Sequence, residues 1–80
     1  MPSPDPPPAA CLDLRGTPCP LNFIRTRLAL EKMARGSVLQ VDLDMGEPEM
    51  MVADGVRSDG HSVERELLEE GVVRLRIRRG

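Results

Sequence analysis

A cysteine stands between two prolines in the stretch Arg15-Gly16-Thr17-Pro18-Cys19-Pro20-Leu21-Asn22. Thiol chemistry runs through the thiolate, as exchange with another sulfur, sulfur transfer or oxidation. A second thiol, Cys11, lies upstream, and His61 is the chain's one imidazole. Two cysteines and one histidine fall short of a closed zinc site, so no metal is expected. A cysteine hydrolase would need the histidine within hydrogen-bond reach of the nucleophile. Whether Cys19 and His61 can meet is a question for the elements that carry them.

Those elements can be read from hydrophobic spacing. Met1 to about Ala9 is rich in proline and is expected to be a disordered or polyproline-like tail, with one ordered domain over 10–80. Cys11-Leu12-Asp13-Leu14 alternates as a short strand. Arg15 to Pro18 is a loop. A helix is predicted from about Pro20 to Ala34, with Gly36 placed to end it. Val38 to Leu43 alternates again. Pro48 suits a helix first turn, so a second helix is predicted to about Asp59, although Gly55 inside it costs about 1 kcal/mol relative to alanine. Ser62–Leu67 and Val72–Arg78 are two further strands joined at Glu69-Glu70-Gly71. The order is βαβαββ.

The alternation sorts the strands into two faces. Leu12, Leu14, Leu39, Val41, Leu43, Val63, Leu67, Val73, Leu75 and Ile77 form an apolar face, with Arg65 as the misfit in its row. Cys11, Asp13, Val38, Gln40, Asp42, Glu64, Glu66, Arg74, Arg76 and Arg78 form the other, where Glu64 and Glu66 are placed to pair with the arginines of the last strand. A sheet wetted on one side takes its helices on the other. The expected class is α+β: a two-layer α/β sandwich with a four-stranded mixed sheet and two helices on one face. Right-handed crossovers make the first three strands parallel and the hairpin makes the fourth antiparallel. One sheet edge then gathers Arg15–Pro20, Asp44–Glu49 and Leu68–Gly71. The other gathers Arg35, Gly36, Gly60, His61 and the last arginines.

This topology separates His61 from Cys19 and argues against a cysteine hydrolase. It also puts Cys11 and Cys19 at opposite ends of a strand rising about 3.3 Å per residue, beyond the ~7 Å Cα limit for a disulfide. Cys11 is expected on the open face as a bystander. Cys19 falls at the N-cap or first turn of the first helix, where Pro18 and Pro20 stiffen the approach. Free N–H groups of that turn and the positive helix end would favour a thiolate, and equally a persulfide anion. The acids of the same edge, Asp44, Glu47, Glu49, Glu69 and Glu70, oppose this, and Arg15 and Arg25 counter them. A modest net depression of the thiol pKa is the expectation. The plainer alternative is a buried cysteine that acts as a small hydrophobe.

The first helix carries two apolar stripes. Phe23, Thr26, Leu30 and Met33, helped by Ala29, should be core. Leu21, Ile24 and Leu28, flanked by Arg25, Lys32 and Arg35, either pack laterally against Met50, Met51 or Val52 or stay exposed as a docking surface beside the sulfur. Bulk composition narrows the function classes. Net charge is −2 and Phe23 is the only aromatic, so neither a basic footprint nor a stacking platform for nucleic acid exists. No apolar run approaches the ~20 residues that span a bilayer. MPSPDPPPA has neither the basic nor the apolar region of a secretory signal, so a cytoplasmic location is expected.

Leu12-Asp13-Leu14-Arg15-Gly16, Cys19-Pro20, a helix and then Gly36 resemble the TusA/SirA-type sulfur carriers. Gly60-His61-Ser62-Val63 and Leu75-Arg76-Ile77-Arg78-Arg79-Gly80 resemble their C-terminal half. The resemblance covers about Ala10 to Gly80. It implies a two-layer βαβαββ fold like the C-terminal domain of translation initiation factor three, and a persulfide relay. Cys19 would accept sulfane sulfur from a cysteine desulfurase or another sulfurtransferase and pass it to a downstream thiol protein, with no cofactor beyond the transient persulfide. Arg15, Gly16, Pro20 and Asn22 would shape the site. Leu21, Ile24, Arg25, Leu28, Asp44 and Glu47 would contact partners. The family motif usually has a second proline where this chain has Asn22, which would place a polar side chain near the sulfur. Asp44 and Pro48 roughly match an Asp and a Pro of the family's second loop. The alternative from another class is a non-catalytic interaction or redox-regulatory module with Cys19 as a sensor thiol.

Overall fold

The structure, a computed structural model, describes residues 8–80. Its elements are β1 (Ala10–Asp13), α1 (Leu21–Glu31), β2 (Val38–Asp44), α2 (Glu47–Ser58), β3 (Ser62–Glu69) and β4 (Val72–Arg78). The sheet order is β1-β2-β4-β3. β1 pairs parallel with β2, and β4 pairs antiparallel with both β2 and β3. The first three strands therefore share a direction, as right-handed crossovers require. This is the expected four-stranded mixed sheet with two helices, an α+β sandwich. Among the described residues no helix is long and apolar enough to cross a membrane.

The core lies between the sheet's helix face and the two helices. Leu14, Leu39, Val41, Leu43, Val73, Leu75 and Ile77 meet Leu30, Val52, Ala53 and Val56 there. Leu12 and Val63 are half-buried against this cluster. Leu67 departs from the expected apolar row: it is 54% exposed. β3 is an edge strand, and its pairing with β4 is irregular between Leu67 and Glu69. Val38 departs the other way. It belongs to the open-face set yet is buried, at the strand end where its carbonyl accepts the Ala9 N–H and where it stands opposite Arg78 of β4.

Arg65, the misfit of the apolar face, lies against α2. Its Nε donates to Glu49 Oε2 at 2.7 Å and its Nη2 to Glu49 Oε1 at 3.1 Å. Glu49 Oε1 also accepts the Gly46 N–H at 3.4 Å, so the carboxylate caps the first turn of α2 while it holds β3. These contacts keep the Glu49 carboxyl below its ordinary pKa, the Arg65 hydrogen bond contributing most and burial opposing it. On the open face Glu66 pairs with Arg76 at 2.9 Å. Arg74 turns to Asp42 on β2, at 2.9 Å, and not to β3. Glu64 is in no ion pair among the described residues, so the expected pairing of both glutamates holds for one only.

Element ends shift from expectation for hydrogen-bonding reasons. α1 stops at Glu31 and not Ala34. Its last turn tightens as Lys32 N–H donates to Ala29 O (3.2 Å) and Met33 N–H to Leu30 O (3.0 Å). β1 begins at Ala10, and its ladder extends at both ends. Ala9 N–H donates to Val38 O (2.7 Å) and Leu14 N–H to Asp42 O (2.9 Å). Ala9 is thus tied to the sheet and does not belong to a loose tail, whereas residues 1–7 of the expected tail lie outside the described residues. β3 runs two residues past Leu67, which leaves Glu70-Gly71 as the turn.

Candidate functional site

The loop from β1 to α1 is held residue by residue. Arg15 N–H donates to Asp13 Oδ1 at 3.2 Å. The Arg15 guanidinium forks onto the same carboxylate, at 2.9 Å from Nε and 2.8 Å from Nη2. Asp13 is consequently held at a pKa of about 2, chiefly by the Arg15 side chain. Gly16, at φ +75, turns the chain, and its N–H donates to Asp44 Oδ2 at 2.7 Å. Thr17 N–H closes back on Leu14 O at 3.0 Å. Pro18 and Pro20 carry no N–H. Cys19, between them, is exposed and free.

α1 begins with Pro20 as its N-cap, so Cys19 stands one residue before the cap. The expectation that several first-turn amides face the sulfur needs correction. Asn22 N–H donates to Pro18 O at 3.1 Å, Ile24 N–H to Pro20 O at 3.0 Å, and Phe23 N–H to Asn22 Oδ1 at 2.7 Å. Of the first-turn donors only the Leu21 N–H is not engaged by these bonds. Asn22 is fully buried, and its amide oxygen accepts the Phe23 N–H within the first turn. Its Nδ2 has no hydrogen-bond partner. Asn22, Thr26 and Leu30 fall at i, i+4 and i+8, a spacing that marks them as one inward row. Phe23, Ala29 and Met33 are half-buried beside it.

Leu21, Ile24 and Leu28 are 47%, 45% and 51% exposed, so the second stripe does not pack on α2. Arg25 and Glu47 are exposed as well, and neither is in an ion pair among the described residues. Asp44 differs from the other expected partner contacts, because its carboxylate faces the cysteine loop through Gly16. The next residue, Met45, donates its N–H to Gly71 O at 2.9 Å. The β1–α1 loop, the β2–α2 loop and the β3–β4 turn are therefore tied in series along one edge.

Cys11 pairs with Gln40 across β1–β2, is exposed and is unbridged to Cys19. His61 precedes β3 on the far edge, where its Nδ1 accepts the Gly80 N–H at 2.9 Å. Among the described residues no group of three or more His, Cys, Asp or Glu side chains could hold a metal ion. Asp13 holds this loop although its sequence position marks it only as an open-face residue; its spacing of two from Arg15 at the end of β1 is the signal for the pair.

A small α+β sandwich with a free, exposed thiol one residue before the cap of its first helix defines the class: a small thiol protein. The model of the family described as sulfurtransferase TusA matches residues 10–79, and the chain belongs to that family. Putative sulfur carrier proteins of Archaeoglobus fulgidus and Thermotoga maritima are 42% and 35% identical to it over 52 residues, 65% of this chain. The matched stretch spans 59% and 66% of those relatives' own lengths. The crystal structure of a SirA-like protein from Desulfitobacterium hafniense shares the fold, with a TM-score of 0.80 and 24% identity over 89% of this chain and 97% of that one.

Proposed function

We propose that the protein is a cytoplasmic sulfur carrier that accepts sulfane sulfur on Cys19 and relays it to a partner thiol. The observation that carries this reading is the free, exposed Cys19 at the head of α1, followed by the Pro20 of the family's motif. The family and the names of the curated relatives support the carrier role.

The chemistry balances without an oxidant. The Cys19 thiolate attacks the outer sulfur of a donor persulfide. A sulfur–sulfur bond forms at Cys19 as the donor's bond breaks. The donor thiolate leaves with the electron pair, and one proton passes from Cys19 to the donor overall. The acceptor thiol then repeats the attack on the outer sulfur held by Cys19. The donor supplies the leaving thiolate in the first step and Cys19 is the leaving thiolate in the second, and the base in each comes from the partner, which agrees with the place of His61 on the opposite edge. The exposed Leu21, Ile24 and Leu28, with Arg25 beside them, offer the apolar surface on which a cysteine desulfurase, another sulfurtransferase or the accepting thiol protein would dock.

Incubation with a cysteine desulfurase and cysteine, followed by intact-mass analysis, tests the reading. A one-sulfur adduct that thiol reductant removes and that is lost in Cys19→Ser is the expected result. No adduct, or one that persists in Cys19→Ser, overturns it.

A further inference from the structure

We infer that Asp44 is a positioning residue for Cys19. The segment from Arg15 to Pro20 makes few hydrogen bonds, and most are local. Arg15 is bound to Asp13, Thr17 to Leu14 O, and Pro18 O accepts from Asn22. The two prolines flanking the cysteine remove two amides that could have anchored it. Among the described residues, the one hydrogen bond from this segment to anything beyond β1 and α1, the two elements it joins, is Gly16 N–H to Asp44 Oδ2, at 2.7 Å across 28 positions of sequence.

The anchor point is firm. Asp44 ends β2, an interior strand paired on both sides, and Asp44 itself is paired with Val72 of β4. The following residue is fixed to the β3–β4 turn through Met45 N–H and Gly71 O. The carboxylate is therefore carried by a backbone paired with β4 and tied to the β3–β4 turn, and the thiol-bearing loop is bonded to it. A bond from an amide to an ionised carboxylate is also stronger and shorter than one between neutral groups. Asp44 thus restricts where the Cys19 sulfur stands relative to the tip of α1 and to any thiol that approaches it. The restriction itself does not depend on the sulfur-carrier reading; its consequence for transfer does.

Asn at position 44 keeps an acceptor oxygen and loses the charge, whereas Ala loses both. Cys11, on β1 and away from the loop, is an internal reference thiol in the same chain. Wild type, Asp44→Asn and Asp44→Ala are alkylated with limiting iodoacetamide, and peptide masses give the Cys19-to-Cys11 rate ratio. The expected result is a ratio raised about fivefold in Asp44→Ala, the scale of one lost hydrogen bond, and changed less than about twofold in Asp44→Asn. A ratio unchanged in Asp44→Ala overturns the inference. So does an equal rise in both variants, because charge alone would then be acting.

Hydrogen exchange of the Gly16 amide in the wild-type protein keeps the test sound if Asp44→Ala does not fold. Slow exchange is expected, and exchange at the rate of an unprotected amide refutes the anchor directly. Sulfur loading from a desulfurase is measured on the same variants and should slow in Asp44→Ala while Asp44→Asn retains it. If the wild-type chain takes up no sulfur yet the alkylation ratio shifts as stated, the carrier reading falls and the positioning role stands. If loading proceeds on Cys19 and the ratio does not move, the outcome is reversed.

Discussion

Beneath the first turn of α1, Asn22 satisfies its amide oxygen with the Phe23 N–H at 2.7 Å and leaves Nδ2 without a partner. A buried donor left unpaired costs about 1–3 kcal/mol, and a lost first-turn cap costs about 1 kcal/mol. The two effects oppose each other in Asn22→Leu, which keeps the heavy-atom count and the branch point at Cγ but is bulkier. We expect that variant to gain about 1 kcal/mol, read as a higher urea midpoint with an unchanged slope. A lower midpoint would show that the cap outweighs the orphaned donor. Glu49 is the opposite case, a nearly buried carboxylate whose hydrogen bonds to Arg65 and Gly46 are all made. Its pKa is lowered in the fold, so its contribution is present above the unfolded-state value of about 4.3 and is lost as pH falls through the folded value. Glu49→Gln should therefore melt below wild type at pH 7, and the gap between them should narrow at pH 3. A gap that stays constant over that range would refute the linkage. Asp13, held at about 2 by Arg15, adds to the acid loss in the same sense.

At the scale of elements, the two helices meet where Gly55 of α2 receives the Phe23 ring of α1. A Cβ built on Gly55 falls within clash distance of that ring. Glycine in a helix interior is a cost of about 1 kcal/mol relative to alanine when nothing crowds it. Here the crowding reverses the sign, since overpacking costs about 1–3 kcal/mol. Gly55→Ala is expected to destabilise the protein by about 1–2 kcal/mol. Phe23→Leu in the same chain should recover most of that loss, with the coupling measured by a double-mutant cycle. Additive effects would show that the two residues do not share the contact. The glycine that weakened the sequence argument for α2 is thus the residue that lets the helices approach. The existence, order and face of the six elements were legible because the strands alternate and proline and glycine punctuate the helices. Their ends were not, because Lys32, Ala9 and Glu69 take hydrogen-bond partners that no spacing announces.

Across the whole molecule, the two edges of the sheet differ in kind. The far edge is closed by backbone ties, Gly36 N–H to Arg79 O and Arg79 N–H to Ser37 O, each at 2.9 Å, together with the Gly80–His61 bond. The near edge carries Cys19. Leu21, Ile24, Met45, Met50, Met51, Leu67 and Leu68, all large and exposed, belong to its loops or to the element turns that adjoin them. An apolar margin of this kind around an exposed thiol is what the proposed carrier role would use for docking. The free edge of β3 is interrupted by Glu64, Arg65 and Glu66 and by the register shift near Leu67, features that discourage strand pairing with another chain.

The sequence by itself determined the sandwich, the edge on which Cys19 lies, the separation of Cys19 from His61 and Cys11, and the family. Each of these follows from periodicity, chain direction and local motif, which are properties of neighbours along the chain. Only the tertiary structure decided that Asn22 is sealed in the core, that Asp44 holds the Gly16 amide, that Arg65 belongs to Glu49, and that the Leu21, Ile24 and Leu28 stripe stays bare. Those are choices between partners distant in sequence. They depend on which side chain reaches an acceptor first once the layers have packed.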